Sequence, residues 1–129
     1  MPRQQVAVST PLGTTIGYSR AVRAGDLVFV SGTTAIGPDG AVMHPGDAAK
    51  QAELVLERIA AALRELGASV ADVVETRIYL TDITSWQEVG RAHGAVFKDV
   101  RPASTLVEVG ALVIPGLLVE ISAIAVLGQ

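Results

Sequence analysis

Glu120 interrupts the apolar run Leu118-Val119-Glu120-Ile121 near the end of a 129-residue chain. A carboxylate in such a strand can take a raised pKa and act as an acid, a base or an anchor for water. The same spacing fits a solvated strand face shared by Glu120 and Ser122, and spacing alone does not separate the two readings. His93 lies in a helical stretch with Ala92, Val96 and Phe97, the pattern of a partly buried packing histidine. His44 sits in a Pro/Gly loop and reads as exposed. With two histidines, no cysteine and no Asp or Glu at ligand spacing around either histidine, no metal site is expected. Ser31 closes an apolar run in Ser31-Gly32-Thr33-Thr34. It can offer a hydroxyl to a ligand, or simply end a strand in a Ser-Gly turn. No Gly-x-Ser-x-Gly elbow is present, and residues 31–34 lack the Gly/Lys framework of a phosphate loop. The residues alone do not name a reaction.

These side chains must be held by short elements punctuated with Gly and Pro. Ala24-Gly25-Asp26 is a turn signal between residues 18–22 and the apolar run 27–30, which predicts a hairpin. Residues 13–17 and Gly37-Pro38-Asp39-Gly40 read as a loop and a turn. Asp47 is the expected N-cap of the strongest helix. Val55, Ile59, Ala62, Leu63 and Leu66 recur there at helical spacing, widened by Ala52 and Leu56. Lys50, Glu53, Glu57, Arg58 and Arg64 fall on its outer face, and Gly67 is its stop signal. Residues 73–80 alternate, with Val74, Thr76, Ile78 and Leu80 on one side, as a half-buried strand does. Ser85-Trp86-Gln87-Glu88 has the form of a capping box opening a second helix, with Trp86, Val89, Val96 and Phe97 as its apolar positions. Strands are expected over 105–109 and 117–126, separated by Gly110 and Pro115-Gly116.

The resulting order is ββ–α–β–α–ββ in one domain, residues 1–129, an α+β fold with both helices on one face of a mixed sheet. Segments 27–30 and 117–126 are apolar on both faces, more than a one-sided helical layer requires. A large bare apolar sheet face is rarely tolerated in a monomer, so burial against other copies of the chain is expected.

Composition narrows the partners. Half the residues are apolar and 18% charged, a globular balance, with aromatics at 4%. The absence of cysteine removes disulfides, thiolate catalysis and Cys-type zinc sites together. A net charge of −3 with dispersed Lys and Arg argues against nucleic acid as a partner. The N-terminal residues lead into no apolar signal region, and no run approaches the roughly twenty residues of a membrane span. A cytoplasmic protein is expected.

A resemblance sharpens this reading. Gly17-Tyr18-Ser19-Arg20-Ala21-Val22 followed by Leu27-Val28-Phe29-Val30-Ser31-Gly32 resembles the opening of the Rid family, the reactive intermediate deaminases also called YjgF or L-PSP proteins. The similarity continues through Gln51 and the first helix, then Val73-Val74-Glu75-Thr76-Arg77-Ile78-Tyr79-Leu80-Thr81-Asp82. It closes with Pro102-Ala103-Ser104-Thr105-Leu106-Val107 and Pro115-Gly116-Leu117-Leu118-Val119-Glu120-Ile121. The resemblance implies a chorismate-mutase-like fold, a homotrimer whose sheets form a central β-barrel, and clefts between subunits. It also implies hydrolysis of reactive enamines and imines without a cofactor. In that family an arginine binds the substrate carboxylate, and a glutamate near the C-terminus positions water.

Carried onto this chain, Tyr18, Ser31 and Glu120 match cleft positions, and Ser104 and Thr105 would add hydroxyl and backbone donors. The family's Pro-Ala-Arg-Ser reads Pro102-Ala103-Ser104-Thr105, so Ser104 stands where the guanidinium belongs. A serine cannot replace that charged fork, and losing a charge-assisted pair costs about 2–5 kcal/mol of binding. Gly90 stands in place of the usual Asn, and His93 in place of Tyr. Arg20, in place of the usual Gln, and Arg101 are the two available replacements for the charge, or else ordinary surface arginines. The implied functions are imine or enamine deamination, or a related hydrolysis, with Glu120 holding water. The alternatives are a non-catalytic ligand-binding or sensor protein and, behind both, an endoribonuclease.

Overall fold

The computed structural model describes residues 2–129. Its strands are β1 (Gln4–Val6), β2 (Ala21–Ala24), β3 (Leu27–Thr33), β4 (Val73–Leu80), β5 (Ala103–Glu108) and β6 (Val119–Val126). They form one mixed sheet in the order β1-β2-β3-β6-β4-β5. All neighbours are antiparallel except β4 and β5, which run parallel. A parallel pair needs a crossover, and α2 (Trp86–Phe97) supplies it. The other helix, α1 (Ala48–Glu65), packs against β3, β6 and α2.

Alternation explains which face is covered. Val119, Ile121, Ala123 and Ala125 of β6 are buried, as are Val28 and Val30 of β3. They meet Val55, Ile59, Ala62 and Leu63 of α1 in one apolar core. Each such Val, Leu or Ile contributes about 1.5–3 kcal/mol on full burial. Asp47 caps α1 by accepting from the Lys50 amide at 3.0 Å. Gly67, at φ 83°, ends it in the left-handed conformation expected of a glycine stop. The opposite sheet face stays open: Leu27 and Phe29 are each 42% exposed, opposite Val126 and Ile124 respectively. Among the described residues no helix is long and apolar enough to cross a membrane.

Several local expectations are corrected. A first strand, β1, precedes the hairpin, and residues 13–17 form a π-helical turn rather than an open loop. The hairpin strands run over Ala21–Ala24 and Leu27–Thr33, and the last two strands over Ala103–Glu108 and Val119–Val126. In β4 a register shift between Val73 and Glu75 changes the phase, so Val73 rather than Val74 is buried with Thr76, Ile78 and Leu80. Ser85 makes no capping bond to α2; its hydroxyl instead donates to the Asp82 carbonyl at 2.8 Å. The 3₁₀ turn Ile83–Ser85 runs directly into α2, leaving Ser85 with the non-extended backbone of φ −84°, ψ 5° instead of a cap's extended one, and the Trp86 amide already donates to the Ile83 carbonyl. The reciprocal box lies at Ser69 and Asp72. Trp86 is 52% exposed, because the helix begins before its buried stripe at Val89 and Phe97.

Candidate functional site

The register of β3 shifts between Val30 and Thr33, a bulge after which its antiparallel pairing with β6 resumes at Thr33 opposite Ile121. Beside this bulge lies a groove of about 540 Å³, whose lining includes Tyr18, Arg20, Ser31, Gly32, Arg58 and Glu120. Each side chain arrives for a local reason. Gly17, at φ 82°, closes the π-helical turn, and Tyr18 follows in extended backbone with its amide donating to the Gly13 carbonyl at 3.1 Å. Ser31 continues the β2–β3 pairing through its amide, which donates to the Arg20 carbonyl at 3.0 Å. Its hydroxyl donates to the Ser19 carbonyl at 2.6 Å, tying the Tyr18 segment to the bulge in β3. That hydroxyl proton is used internally, and the oxygen's lone pairs are what remain for a ligand.

Glu120 belongs to the sheet face opposite α1, since its neighbours Val119 and Ile121 point into the core. It stands opposite Tyr79 of β4 and against Gly32 of β3. A Cβ at position 32 would meet the Glu120 carboxyl oxygen and lie 2.8 Å from its Cδ and 3.2 Å from its Cγ. Glycine at 32 is therefore the space the carboxylate occupies. Burial pushes the Glu120 pKa above the ordinary glutamate value of 4.5, because desolvation penalises the charged form. The strand is anchored from α1: buried Gln51 donates to the carbonyls of His44 and Gly116, each at 3.2 Å, and accepts from the Leu118 amide at 2.9 Å. A half-buried carboxylate so held can accept a proton from a bound water.

Two arginines share the groove. Arg20 Nη1 donates to Thr33 Oγ1 at 3.2 Å. Arg58 Nη1 donates to the carbonyls of Thr34 at 2.9 Å and Ile36 at 2.7 Å. The outer-face placement of Arg58 is thus overturned. It flanks the buried stripe beside Ile59, and its long stem lets the guanidinium reach back to the end of β3. Burial, then the nearby Arg20 charge, lowers its pKa.

Ser104, Thr105 and His93 lie elsewhere within the chain. Ser104 pairs in register with Thr76 across β4 and β5, and their hydroxyls are 2.8 Å apart. Thr76, itself buried, also bonds His93 Nε2 at 2.9 Å. The His93 ring packs against Phe97, with centroids 4.6 Å apart, and burial lowers its pKa. Thr105 is exposed on β5. Arg101 is also exposed, at φ 54°, and its Nε donates back to the Lys98 carbonyl at 3.1 Å. The chain thus holds two clusters, Tyr18–Arg20–Ser31–Glu120 with Arg58, and Ser104–Thr76–His93, with β4 and β6 between β5 and β3. Thr76 and Arg58 were the residues sequence reasoning missed as site members. An alternating inward threonine and an outer-face arginine carry no signal of their own. Among the described residues, no three His, Cys, Asp or Glu side chains come together to hold a metal ion.

The family model described as Endoribonuclease L-PSP matches residues 9–127. The chain is 37% identical over 108 residues to the 3-aminoacrylate deaminase RutC of Acinetobacter baylyi, covering 84% of this chain and 85% of that protein. It is 36% identical over 108 residues to a RutC family protein of Pyrococcus abyssi, covering 84% of each. Among solved structures, a Mycobacterium tuberculosis member of the YjgF/YER057c/UK114 family superposes with a TM-score of 0.89 at 48% identity, covering 98% of this chain and 100% of that one. A Rid family protein from Yersinia pestis, of unknown function, gives a TM-score of 0.85 at 31% identity, covering 98% and 100%. In sequence and fold, the chain belongs to the L-PSP family, the Rid/YjgF group of proteins.

Proposed function

We propose that this chain, as one domain spanning residues 1–129, is a cytoplasmic, cofactor-independent hydrolase of small imines and enamines that works in the clefts of a homotrimer. The observation that carries the reading is Glu120: a half-buried carboxylate with a raised pKa, seated on Gly32 in a groove with Tyr18 and Ser31. The bare sheet face around Leu27 and Phe29 supports assembly through a barrel of packed sheets. In such an assembly, Ser104, Thr105 and His93 of one subunit complete the cleft holding Glu120 of the next. The relative named 3-aminoacrylate deaminase lends the reaction class.

In this mechanism Glu120 takes a proton from water as the water oxygen bonds to the imine carbon. The C=N π electrons pass to nitrogen, which takes that proton back from Glu120 to give the carbinolamine. Glu120 then takes the carbinolamine's hydroxyl proton and delivers it to the amine as the C=O forms and the C–N bond breaks, releasing ammonia and leaving the carboxylate as it began. An enamine enters the same path after tautomerising to the imine. Ser31 and Tyr18 shape the pocket, and Arg20 supplies positive charge.

A second reading, a non-catalytic ligand sensor, is favoured by Ser104, whose hydroxyl is engaged by Thr76 where the family's arginine would be. Ammonia release across a panel including 2-iminopropanoate and 3-aminoacrylate separates the two. Turnover lost in Glu120→Ala supports the hydrolase, whereas ligand-induced stabilisation without turnover by the wild type supports the sensor. RNA cleavage that vanishes in Glu120→Ala would instead establish an endoribonuclease, a reading that the net charge of −3 opposes.

A further inference from the structure

We propose that Arg20 and Arg58 together form a binding site for a small oxyanion in the Glu120 groove, replacing from β2's entry and α1 the charge that β5 lacks at Ser104. The two guanidinium groups are brought to one place by consecutive residues. Arg20 bonds the side chain of Thr33 and Arg58 the carbonyl of Thr34, and both arginines line the same groove. Glu65 and Glu120 line the same groove, but among the described residues neither arginine has a carboxylate within ion-pair distance. Among the described residues the one ion pair is Arg77 with Glu75, at 3.1 Å. The Arg20 charge acts on Arg58 across the groove they both line, and an anion bound between two like charges relieves their repulsion.

Donors remain for it. A guanidinium carries five N–H groups. Arg58 commits Nη1 to the Thr34 and Ile36 carbonyls, while its Nη2 has only the Met43 sulfur at 3.8 Å. Arg20 commits one Nη1 bond to Thr33. The remaining N–H groups suit the oxygens of a carboxylate or phosphate, which guanidinium forks bind bidentately. Glu120 lines the same groove, so the anionic end and the reacting centre of one small molecule fit within a single chain. The role of Arg58 extends the hydrolase reading and rests on it only for what happens at Glu120.

The test is anion binding rather than turnover. Pyruvate and inorganic phosphate are titrated into the purified oligomer by calorimetry and thermal shift, with chloride holding ionic strength constant. Saturable binding of at least one probe is expected, weakened at least tenfold in Arg20→Gln and severalfold in Arg58→Lys. Preference for pyruvate assigns a carboxylate ligand, and preference for phosphate a phosphorylated one. Arg58→Lys retains a cation near the Thr34 and Ile36 carbonyls, and Arg20→Gln removes only one side-chain bond, so both should fold. Absence of saturable binding, or equal binding by wild type and Arg20→Gln, overturns the proposal. Glu120→Gln keeps anion binding. If it also keeps turnover, the hydrolase mechanism fails while the anion site stands.

Discussion

Gly32→Ala perturbs Glu120 without changing any charge. Gly32 is not among the positive-φ glycines, so alanine meets no backbone strain there. Its Cβ would instead sit 2.8 Å from Glu120 Cδ and 3.2 Å from Cγ, closer than packed carbons approach. Carbon–carbon contacts relax to roughly 3.5–4.0 Å, so the carboxyl group must retreat by about 1 Å. A displacement of that size at a reacting group costs about 10²-fold in rate, or about 2.7 kcal/mol at 1.36 kcal/mol per tenfold. The fold loses less. An off-rotamer glutamate costs about 0.5–1.5 kcal/mol, which lowers Tm by a few degrees, roughly 2–6 °C for a domain near this size. The assay pairs kcat/KM for imine hydrolysis with thermal unfolding, in Gly32→Ala, Glu120→Gln and the double variant. In the Glu120→Gln background the alanine should cost no further activity, because the group it displaces no longer acts. Full activity in Gly32→Ala, or an equal alanine loss in both backgrounds, would refute the idea that position 32 seats a catalytic carboxylate.

Further predictions concern the supports of the site. Because the folded-state pKa of Glu120 is raised, imine hydrolysis should rise with pH through a value above 4.5 and level off, a profile read from kcat/KM. The stability sign is the opposite: Glu120 contributes most below its unfolded pKa, and that contribution is lost as pH rises through the folded value. Glu120→Gln should therefore gain on wild type in urea midpoint as pH rises from below 4.5 through the raised folded-state pKa of Glu120. Gln51→Leu removes the bonds to the Gly116 carbonyl and the Leu118 amide, both partly reachable by water, and should cost about 0.5–1.5 kcal/mol for each bond lost, measured by urea unfolding. Phe29→Glu places a charge on the bare sheet face and should convert the proposed homotrimer to monomer in analytical ultracentrifugation; a trimer mass in both would place the interface elsewhere.

What the residues disclosed beforehand has physical limits. The α1 stripe, its Asp47 cap and its Gly67 stop were legible because helical periodicity and capping are local. The two-helix, one-face architecture followed from the two amphipathic helical stretches, while β6, apolar on both faces in sequence, shows its alternation only in burial. The phase of β4 was not legible, because the register shift at Val73 arises from pairing with β6 rather than from local propensity. The Ser85 box failed for a related reason: Asp82 had already nucleated a 3₁₀ turn, its carboxylate accepting from the Thr84 amide at 2.9 Å. Glu120 was legible as a break in an apolar run, yet its environment depends on Gly32, eighty-eight positions earlier (120 minus 32) and adjacent only through the sheet. Arg58 reads as a solvated helix residue until the carbonyls of Thr34 and Ile36 are brought beneath it.

The most direct measurement is the single-turnover rate of 2-iminopropanoate hydrolysis at pH 7, comparing wild type with Glu120→Gln. Glutamine keeps the size and the hydrogen-bonding reach of the side chain but cannot take a proton from water. General-base catalysis of this kind contributes about 10²–10⁴-fold, so the variant should be slower by that factor while remaining folded. A Glu120→Gln rate within about twofold of wild type, far less than the 10² floor expected for a general base, would contradict the assignment of Glu120 as the residue that activates water.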